Sequence, residues 1–404
     1  MRGVAPACRE AVVAATDRCR RALRSTQLAL LALAERREGA GGLPFLATAR
    51  LLGALGGLMA TGHAHAAELP EDRADLMLHS FDGGGVEAWG PALLVRKNLL
   101  NKVSLFGTYY ADIVSNASID VVTTASPYRE TRHEYGLGVD YAVRESLLTF
   151  AASHSTEPDY VATAFNVDVA TDTFSGMTTV GLGYTYGSDD VGKVGEGFFD
   201  HAKHWRYRLG VSQILTPRWL ANANFEVVSD DGFLGSPYRM ALVFGAAVPE
   251  RMPRTRTSRS VQLRLIGEVV PGWSVRGEYR YFWDTWEISA HTFGLGAAHR
   301  FGEKWLVDAY ARSYRQEGAL FYSDNATSET QYVTRHRQLS DYNSLTFGTK
   351  VTYELMRKPS RYELSLSGAL EYWKTDYSDF TDLRNGSLYS YNATVAQVFV
   401  TLLF

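Results

Sequence analysis

GWSVRGEYRYFWDTWEISAHTFGLGAAHRF, residues 272–301, is the stretch that decides the fold of this 404-residue chain. Successive side chains of a β-strand point to opposite faces, so alternate residues share a face. One row of the first strand is aromatic and apolar, and it contains Trp273, Val275, Gly277, Tyr279, Tyr281 and Trp283. The other row is charged, with Ser274, Arg276, Glu278, Arg280 and Phe282. An apolar row with aromatic ends, opposite a charged row, is typical of a strand in a membrane β-barrel.

The same alternation recurs from residue 74 to the C-terminus, in segments of roughly 10–14 residues separated by turn residues. We divide it into sixteen strands, the first at residues 74–81 and the last at 388–404. Every second connection is short, namely residues 98–101, 144–145, 171–176, 215–217, 271–272, 302–303 and 356–361. All the long ones fall in the other set, which includes residues 117–131, 189–202, 230–257, 316–341 and 377–387.

This arrangement predicts an all-β fold, a transmembrane antiparallel up-and-down β-barrel of 16 strands. The short turns would face the periplasm and the long loops the outside of a bacterial outer membrane, in contact with its lipid. Fourteen strands is the alternative, because the segment 74–81 is short and residues 146–170 can be divided differently. The chain closes on an alternating row that ends at Phe404, which resembles the C-terminal signal read by barrel insertion machinery.

The first 66 residues differ from the rest and predict a secretory signal peptide. The apolar segment 51–60 follows Arg50, and Ala64 and Ala66 are the small residues expected before a cleavage site. The long stretch before it indicates either a start upstream of the true one or a leader with an extra segment. We therefore expect residues 1–66 to be a leader and residues 67–404 to be the barrel.

Composition excludes several functional classes. Taking the leader's nine arginines and four acidic residues from the chain's 41 basic and 44 acidic residues leaves a net charge of −8, which argues against nucleic-acid binding. Both cysteines, Cys8 and Cys19, lie in the leader, so no disulfide or thiolate site is expected after it. No run of about 20 apolar residues follows residue 67, which excludes a helical membrane protein.

The charged rows predict what lines the lumen. In the second half they hold seven basic and seven acidic residues: Arg206, Arg208, Arg264, Arg276, Arg280, Arg312 and Lys350, with Glu226, Glu268, Glu278, Asp308, Glu354, Glu363 and Glu371. An ion-selective pore usually has an excess of one sign. Charges this dense should pair across strands. The result is either a simply filled interior or a polar transport path gated by the long loops.

Signals for chemistry are weak. No catalytic serine elbow or His-Glu-x-x-His motif occurs, and we assign no catalytic residue, metal or cofactor. His201 and His204 lie at a loop–strand junction, where paired surface histidines rarely bind metal. His154 and Ser155 near Asp159 do not establish a catalytic triad, because adjacency in sequence is not triad geometry.

From residue 184 onward the chain resembles the bacterial domain-of-unknown-function 3570 family, whose members look like outer-membrane barrels. The resemblance rests on residues 210–217, 235–239, 279–288, 290–292, 337–340 and 348–350. It implies an association with extracytosolic redox or flavin-linked systems, and a periplasmic redox or lipoprotein partner. It supplies no catalytic residues.

The family-matching residues predict a cluster at the extracellular rim, made of Ser236, Pro237, Tyr238, Asp284, Trp286, His291 and Thr292. A tightly packed turn is the alternative, with Asp284 accepting backbone N–H groups and Trp286 marking the membrane interface. The leading functional hypothesis is a non-enzymatic channel, scaffold or sheath for an envelope system. The alternative is an outer-membrane enzyme with a site at the extracellular rim.

Overall fold

The computed structural model describes residues 67–116, 118, 128–358 and 361–404, and in them the chain forms a closed antiparallel β-barrel of sixteen strands. The barrel strands are β1 (Arg73–Gly83), β2 (Val86–Leu100), β3 (Val103–Asn116), β4 (Tyr128–Val143), β5 (Ser146–Thr156), β6 (Tyr160–Thr173), β7 (Thr178–Gly192), β8 (Phe199–Thr216), β9 (Trp219–Gly232), β12 (Thr255–Val270), β13 (Trp273–Asp284), β14 (Ser289–Phe301), β15 (Trp305–Glu317), β16 (Tyr342–Lys358), β17 (Tyr362–Thr381) and β18 (Leu388–Leu403). Two short strands, β10 (Met240–Val243) and β11 (Ala246–Pro249), form a separate hairpin. The predicted count of sixteen is confirmed, and the alternative of fourteen is wrong.

The barrel closes between its first and last strands. β1 pairs with β18 from Arg73↔Leu403 to Gly83↔Ala393, and with β2 along the same length. The backbone N–H of Phe404 donates to the carbonyl of Asp72 at 3.1 Å. Closure satisfies the backbone groups that an edge strand would leave unpaired.

The predicted alternation appears as two faces with different surroundings. Leu263, Phe293 and Leu295 are 52%, 57% and 72% exposed on the outside, whereas their inward neighbours Ile266 and Thr292 are buried. Such a band of exposed apolar residues matches the lipid-facing surface of a membrane barrel. Among the described residues, no helix is long and apolar enough to cross a membrane.

Connection lengths differ between the two ends of the barrel. One end, the short-turn rim, has connections such as 144–145 and 271–272, where Arg144 and Gly272 adopt positive φ values of 53° and 82°. The other end, the loop rim, carries the long connections 193–198, 233–254, 318–341 and 382–387. Among the described residues, the long connections therefore lie at one end only; the predicted loop 117–131 lies largely outside the described residues. Which end faces the periplasm stays a prediction.

Several strands run further into the loops than predicted. β17 continues to Thr381 and β8 begins at Phe199, because backbone pairing goes on beyond the apolar band into polar residues. The β10–β11 hairpin was not predicted either. Its two-residue turn is Phe244-Gly245, both with positive φ, and phenylalanine gives no turn signal there. The predicted leader, with both cysteines, lies outside the described residues.

Candidate functional site

The inner wall of the barrel is the candidate site, and all fourteen predicted lumen charges lie on its inward-facing rows. Nε of Arg264 on β12 donates to Glu278 on β13 at 2.6 Å, and the two residues face each other in register. Nε of Arg206 on β8 lies 3.6 Å from a carboxylate oxygen of Glu226 on β9. The expected pairing of charges across strands is therefore seen in the structure.

Two of the ion pairs skip a strand and pass over a glycine. Arg276 on β13 binds Asp308 on β15 through both Nη atoms, at 2.5 and 2.8 Å, across Gly296 on β14. A Cβ atom at Gly296 would lie 2.5 Å from Cζ of Arg276. Any larger residue there would occupy the space of the guanidinium. We call such contacts glycine-bridged pairs.

The second glycine-bridged pair is centred on β7, five strands away around the wall. Nη2 of Arg208 on β8 donates to Oδ1 of Asp168 on β6 at 2.8 Å, across Gly183 on β7. A Cβ atom at Gly183 would lie 2.2 Å from that carboxylate oxygen. These glycines, which carry no side chain, leave room for a long arginine to tie three strands together.

The other predicted lumen charges lie near the ends of strands or contact aromatic rings. Near the short-turn rim, Glu268 accepts the backbone N–H of Gly272 at 3.0 Å, and Arg357 lies 3.5 and 3.0 Å from Glu354 and Glu363. Arg312 on β15 faces Gly294, which in turn faces Glu278. The remaining three lie against aromatic rings: Glu371 accepts the Trp373 indole N–H at 2.9 Å, Lys350 lies 4.7 Å from the Phe399 centroid and Arg280 lies 5.8 Å from the Phe282 centroid.

The first half of the inner wall carries a buried network that the sequence reasoning did not include. Arg96 on β2 binds Asp140 on β4, and Asp140 also accepts the Thr149 hydroxyl at 2.6 Å. Arg96 is 1% exposed and Asp140 2%, so this ion pair is sealed from solvent. On β4, Arg132 donates to Glu134 at 2.7 Å. The alternation of β4 could have revealed these residues, since Arg132, Glu134 and Asp140 share one row.

His204 lies between two carboxylates on the same wall. Its Nδ1 is 2.7 Å from Asp230 on β9 and its Nε2 is 3.2 Å from Asp189 on β7, while the Tyr160 hydroxyl donates to Asp189. His201 faces the outside instead, where its Nδ1 is 2.7 Å from Asp190. The two histidines therefore share no metal site.

The connection 318–341 folds inward over the mouth of the barrel. Nε2 of Gln316 donates to the carbonyls of Gln338 and Ser340 at 2.8 and 3.0 Å. The guanidinium of Arg335 donates to the carbonyl of Thr381 at 2.5 Å and packs 4.3 Å from the centroid of Phe380. These contacts fasten the connection to β15 and β17.

The connection 233–254, which contains the β10–β11 hairpin, binds the connection 318–341. The backbone of Arg251 pairs with that of Val333, and Val243 pairs with Ala326. Ala241, Val243, Ala326 and Val333 form a buried apolar cluster between the two segments. We call residues 233–254 and 318–341 together the loop cover.

The tip of the β13–β14 hairpin is a packed turn. Oδ1 of Asp284 accepts the backbone N–H groups of Trp286 and Ile288 at 2.8 and 3.0 Å, and Oδ2 accepts Nε of Arg256 at 2.7 Å. The alternative prediction for Asp284 is thus confirmed. The prediction that Trp286 marks the membrane interface is wrong. Trp286 is 3% exposed, because the loop cover folds over it and buries it with Ala319.

The residues of the predicted rim cluster do not converge on one point. The Tyr238 hydroxyl accepts the N–H of Val194 at 2.9 Å, in the company of Ser236 and Pro237 within the loop cover. His291 faces the outside of the barrel, with Nδ1 2.8 Å from the Tyr279 hydroxyl. Its neighbour Thr292 faces inward and is 8% exposed.

Three carboxylates at the loop rim form the arrangement best suited to a metal ion. Ligand atoms of Glu130, Glu157 and Asp159 lie within 4.8 Å of one another, and the described residues contain no other such group of three. Burial, together with the charges of Glu130 and Asp159, raises the pKa of the Glu157 carboxyl to about 7, although Arg132 opposes the shift. The sequence reasoning missed this cluster, because its members lie on a strand end and a loop.

Comparison with known proteins identifies one family. The model of the family described as "Protein of unknown function (DUF3570)" matches residues 73–202 and 197–395. No curated protein matches the chain.

Solved structures of barrels resemble the chain at low identity. A bacterial polysaccharide outer membrane secretin is 9% identical, with a TM-score of 0.49, over 83% of this chain and all of that one. The CymD monoaromatic hydrocarbon channel is 12% identical, with a TM-score of 0.41, over 83% and 89% of the two chains. An OmpT variant from Vibrio cholerae that lacks loop L8 is 10% identical, with a TM-score of 0.42, over 84% and 99%.

Proposed function

The chain belongs to the family of proteins of unknown function DUF3570, and we propose that it is a bacterial outer-membrane barrel acting as a narrow channel for small polar solutes. The observation that carries this proposal is the exposure of Asn224 on the inner wall. Asn224 lies on the inward row of β9 and donates to Gln262 on β12 at 3.3 Å, yet its side chain is exposed to solvent. An exposed amide on an inward row indicates a water-filled lumen beside it.

The polar path runs along one side of the barrel. Several inward residues of β9, β12 and β13 are polar and only partly buried, among them Asn222, Arg264 and Arg280. The wall at β5 and β6 is closed, because inward Ser153, Ala162 and Ala164 are 3%, 2% and 2% exposed. One open side and one packed side support a narrow bore rather than a wide pore.

The chemistry of the path favours polar solutes without strong charge preference. Its guanidinium and carboxylate groups neutralise each other, as in the pairs Arg264–Glu278 and Arg276–Asp308. A pore of this kind presents hydrogen-bonding groups but no ring of one sign. We expect weak ion selectivity and passage controlled by the loop cover.

Recordings in planar lipid bilayers test the channel. The wild-type protein should give small conductance steps, and deletion of residues 325–334 should enlarge them or prolong their open time. Asn224→Trp should reduce the conductance, whereas Leu263→Trp, on the outside of β12, should not. Absence of steps from both the wild type and the deletion variant would refute the channel.

A scaffold for an envelope partner is the second candidate, and the sealed half of the wall favours it. Buried pairs such as Arg96–Asp140 make that half rigid, as a docking scaffold requires. A periplasmic redox or lipoprotein partner would then bind at the short-turn rim. Cross-linking from a photoreactive residue at position 271 should capture this partner in the native envelope, and cross-linking from position 384 on the opposite rim should not.

The alternative function, an enzyme with a site at the loop rim, has less support. Both oxygens of Asp284 are engaged by Trp286, Ile288 and Arg256, and His291 faces away from them. We accordingly propose no catalytic role. Asp284→Asn and His291→Gln should leave any activity of the folded protein unchanged, and loss of an activity in both would reopen the enzyme hypothesis.

A further inference from the structure

Three basic side chains, two arginines and one histidine, form a row on the outside of the barrel, close to the loop rim. Arg259 on β12 faces Trp283 on β13, and His291 on β14 faces both Tyr281 on β13 and Arg315 on β15. The three lie on outward rows, about two residues below the loop ends of β13 and β15. Strands lie about 4.8 Å apart, so the row spans about 15 Å of the wall.

The two arginines have no ion-pair partner in the described part of the chain, unlike the arginines of the inner wall. His291 has a single hydrogen-bonding neighbour, the Tyr279 hydroxyl, at Nδ1, which leaves Nε2 available as a donor. Its ring packs against Tyr281 at a centroid distance of 4.9 Å. The row therefore combines unpaired charge with an aromatic support.

The row lies at the edge of the apolar band. Below it on the same outward rows are Leu263, Phe293 and Leu295, each more than half exposed. Above it are the hairpin tip and the loop cover. Tyrosine and tryptophan at such an edge mark the level of the lipid headgroups in a membrane barrel.

Elsewhere on the outward loop rim, cations and carboxylates lie side by side. Lys203 on β8 faces Asp231 on β9, and Nζ of Lys374 on β17 lies 3.4 Å from Asp376. In the sector from β12 to β15 the outward carboxylate is Glu317, which accepts the Ser289 hydroxyl at 2.8 Å. Arg259 and Arg315 differ from the two lysines because neither faces a carboxylate on a neighbouring strand, and this favours a bound anion as their partner.

We propose that Arg259, His291 and Arg315 bind the phosphate group of an anionic lipid in the outer leaflet. Arginine presents a planar fork of N–H donors that fits phosphate oxygens, and His291 faces Arg315 directly, so the two can share one phosphate. Arg259 would contact a second anionic group of the same headgroup across Trp283. The inference rests on the proposed membrane location and goes beyond the channel function.

Native mass spectrometry of the folded full-length protein in a zwitterionic detergent tests the site. The probes are phosphatidic acid, phosphatidylcholine and inorganic phosphate, each titrated separately. The variant is Arg259→Gln/Arg315→Gln, and the matched control is Lys203→Gln. Lys203 is an exposed outward cation at the same rim, whose register partner Asp231 supplies a nearby carboxylate.

The wild type and Lys203→Gln should bind phosphatidic acid with the same affinity. The double variant should bind it at least about tenfold more weakly. Phosphatidylcholine should bind all three equally. Equal binding of phosphatidic acid by the double variant and the wild type would overturn the inference. Inorganic phosphate binding as tightly as phosphatidic acid would overturn the lipid as the ligand.

Insertion into phosphatidylcholine vesicles, measured by heat-modifiable migration, separates this inference from the proposed function. Failure of the wild type to insert would refute the membrane location. Insertion of all variants together with unchanged lipid binding would refute the phosphate site alone.

Discussion

Replacing Arg276 by methionine should destabilise the barrel far more than an arginine change at its rim. The side chain of Asp308 is 3% exposed and takes both Nη hydrogen bonds of Arg276, at 2.5 and 2.8 Å. Arg276→Met leaves that carboxylate buried without its partner, which costs about 3–5 kcal/mol of unfolding free energy. Replacing both partners, as Arg276→Met/Asp308→Leu, should recover part of the loss, because the buried carboxylate is then removed as well. The recovery should be incomplete, because Lys350 on β16 faces Asp308 and loses its charge interaction with it.

The matched control is Arg357→Met. Arg357 lies 3.0 Å from Glu363 at the short-turn rim, but its side chain is 48% exposed, so solvent screens the pair and the expected cost is about 0–1 kcal/mol. The assay is reversible urea unfolding of the protein in lipid vesicles, followed by tryptophan fluorescence and by heat-modifiable migration. A loss at Arg276 no larger than that at Arg357 would refute the reasoning. So would a double variant as unstable as the single one.

Three further predictions concern the wall, the hairpin tip and the loop rim. Gly296→Val should lower the free energy of unfolding by about 2–3 kcal/mol in the same urea assay, because its Cβ would displace a buried ion pair. The control is Gly368→Val, which has open space on the outside and should lower it by less than about 1 kcal/mol. Equal losses would contradict the glycine-bridged arrangement. Asp284→Ala should speed proteolytic cleavage within residues 285–288 by about tenfold, since two backbone N–H groups lose their acceptor; Asp82→Ala is the control, and unchanged cleavage would disprove the capping role. The pKa of Glu157 is about 7 in the folded state and 4.5 in the unfolded state. Its contribution to the free energy of unfolding should therefore be fully present below pH 4.5 and should fall by about 1–3 kcal/mol as the pH rises to 7. Hydrogen exchange of residues 157–160 at pH 5 and pH 7.5 measures this, Glu157→Gln should remove the dependence, and protection that rises with pH would contradict it.

Alternation along the chain was enough to predict the barrel and its strand number. In β13, Tyr279 and Arg280 point to opposite faces as their sequence order requires, and the same parity places every predicted lumen charge inside. The ends of the strands were not predictable in this way. In β17 the outward residues near the loop end include Lys374 and Asp376, so the apolar row ends before the backbone pairing does.

The partners within the site could not be predicted from parity, because they depend on how far each strand is shifted against the next. Arg208 and Asp168 are 40 residues apart and meet only because β7 places Gly183 between them. The loop cover could not be predicted from the sequence for a different reason. Trp286 has the sequence pattern of an interface residue, but the packing of a distant loop segment against it decides that it is buried.

The glycine-bridged pairs have a consequence for the order in which the barrel can be built. A nascent sheet that has grown only as far as β14 holds Arg276 with no carboxylate to meet, since Asp308 arrives with β15. Asp168 on β6 likewise lacks its arginine until Arg208 is added with β8, two strands later. If strands are added one at a time, Asp168 and Arg276 lack these partners until β8 and β15 are in place, so we expect β6–β8 and β13–β15 to become stable as triplets rather than as hairpins. Stalled intermediates should therefore accumulate where a triplet is incomplete, at β7 and at β14.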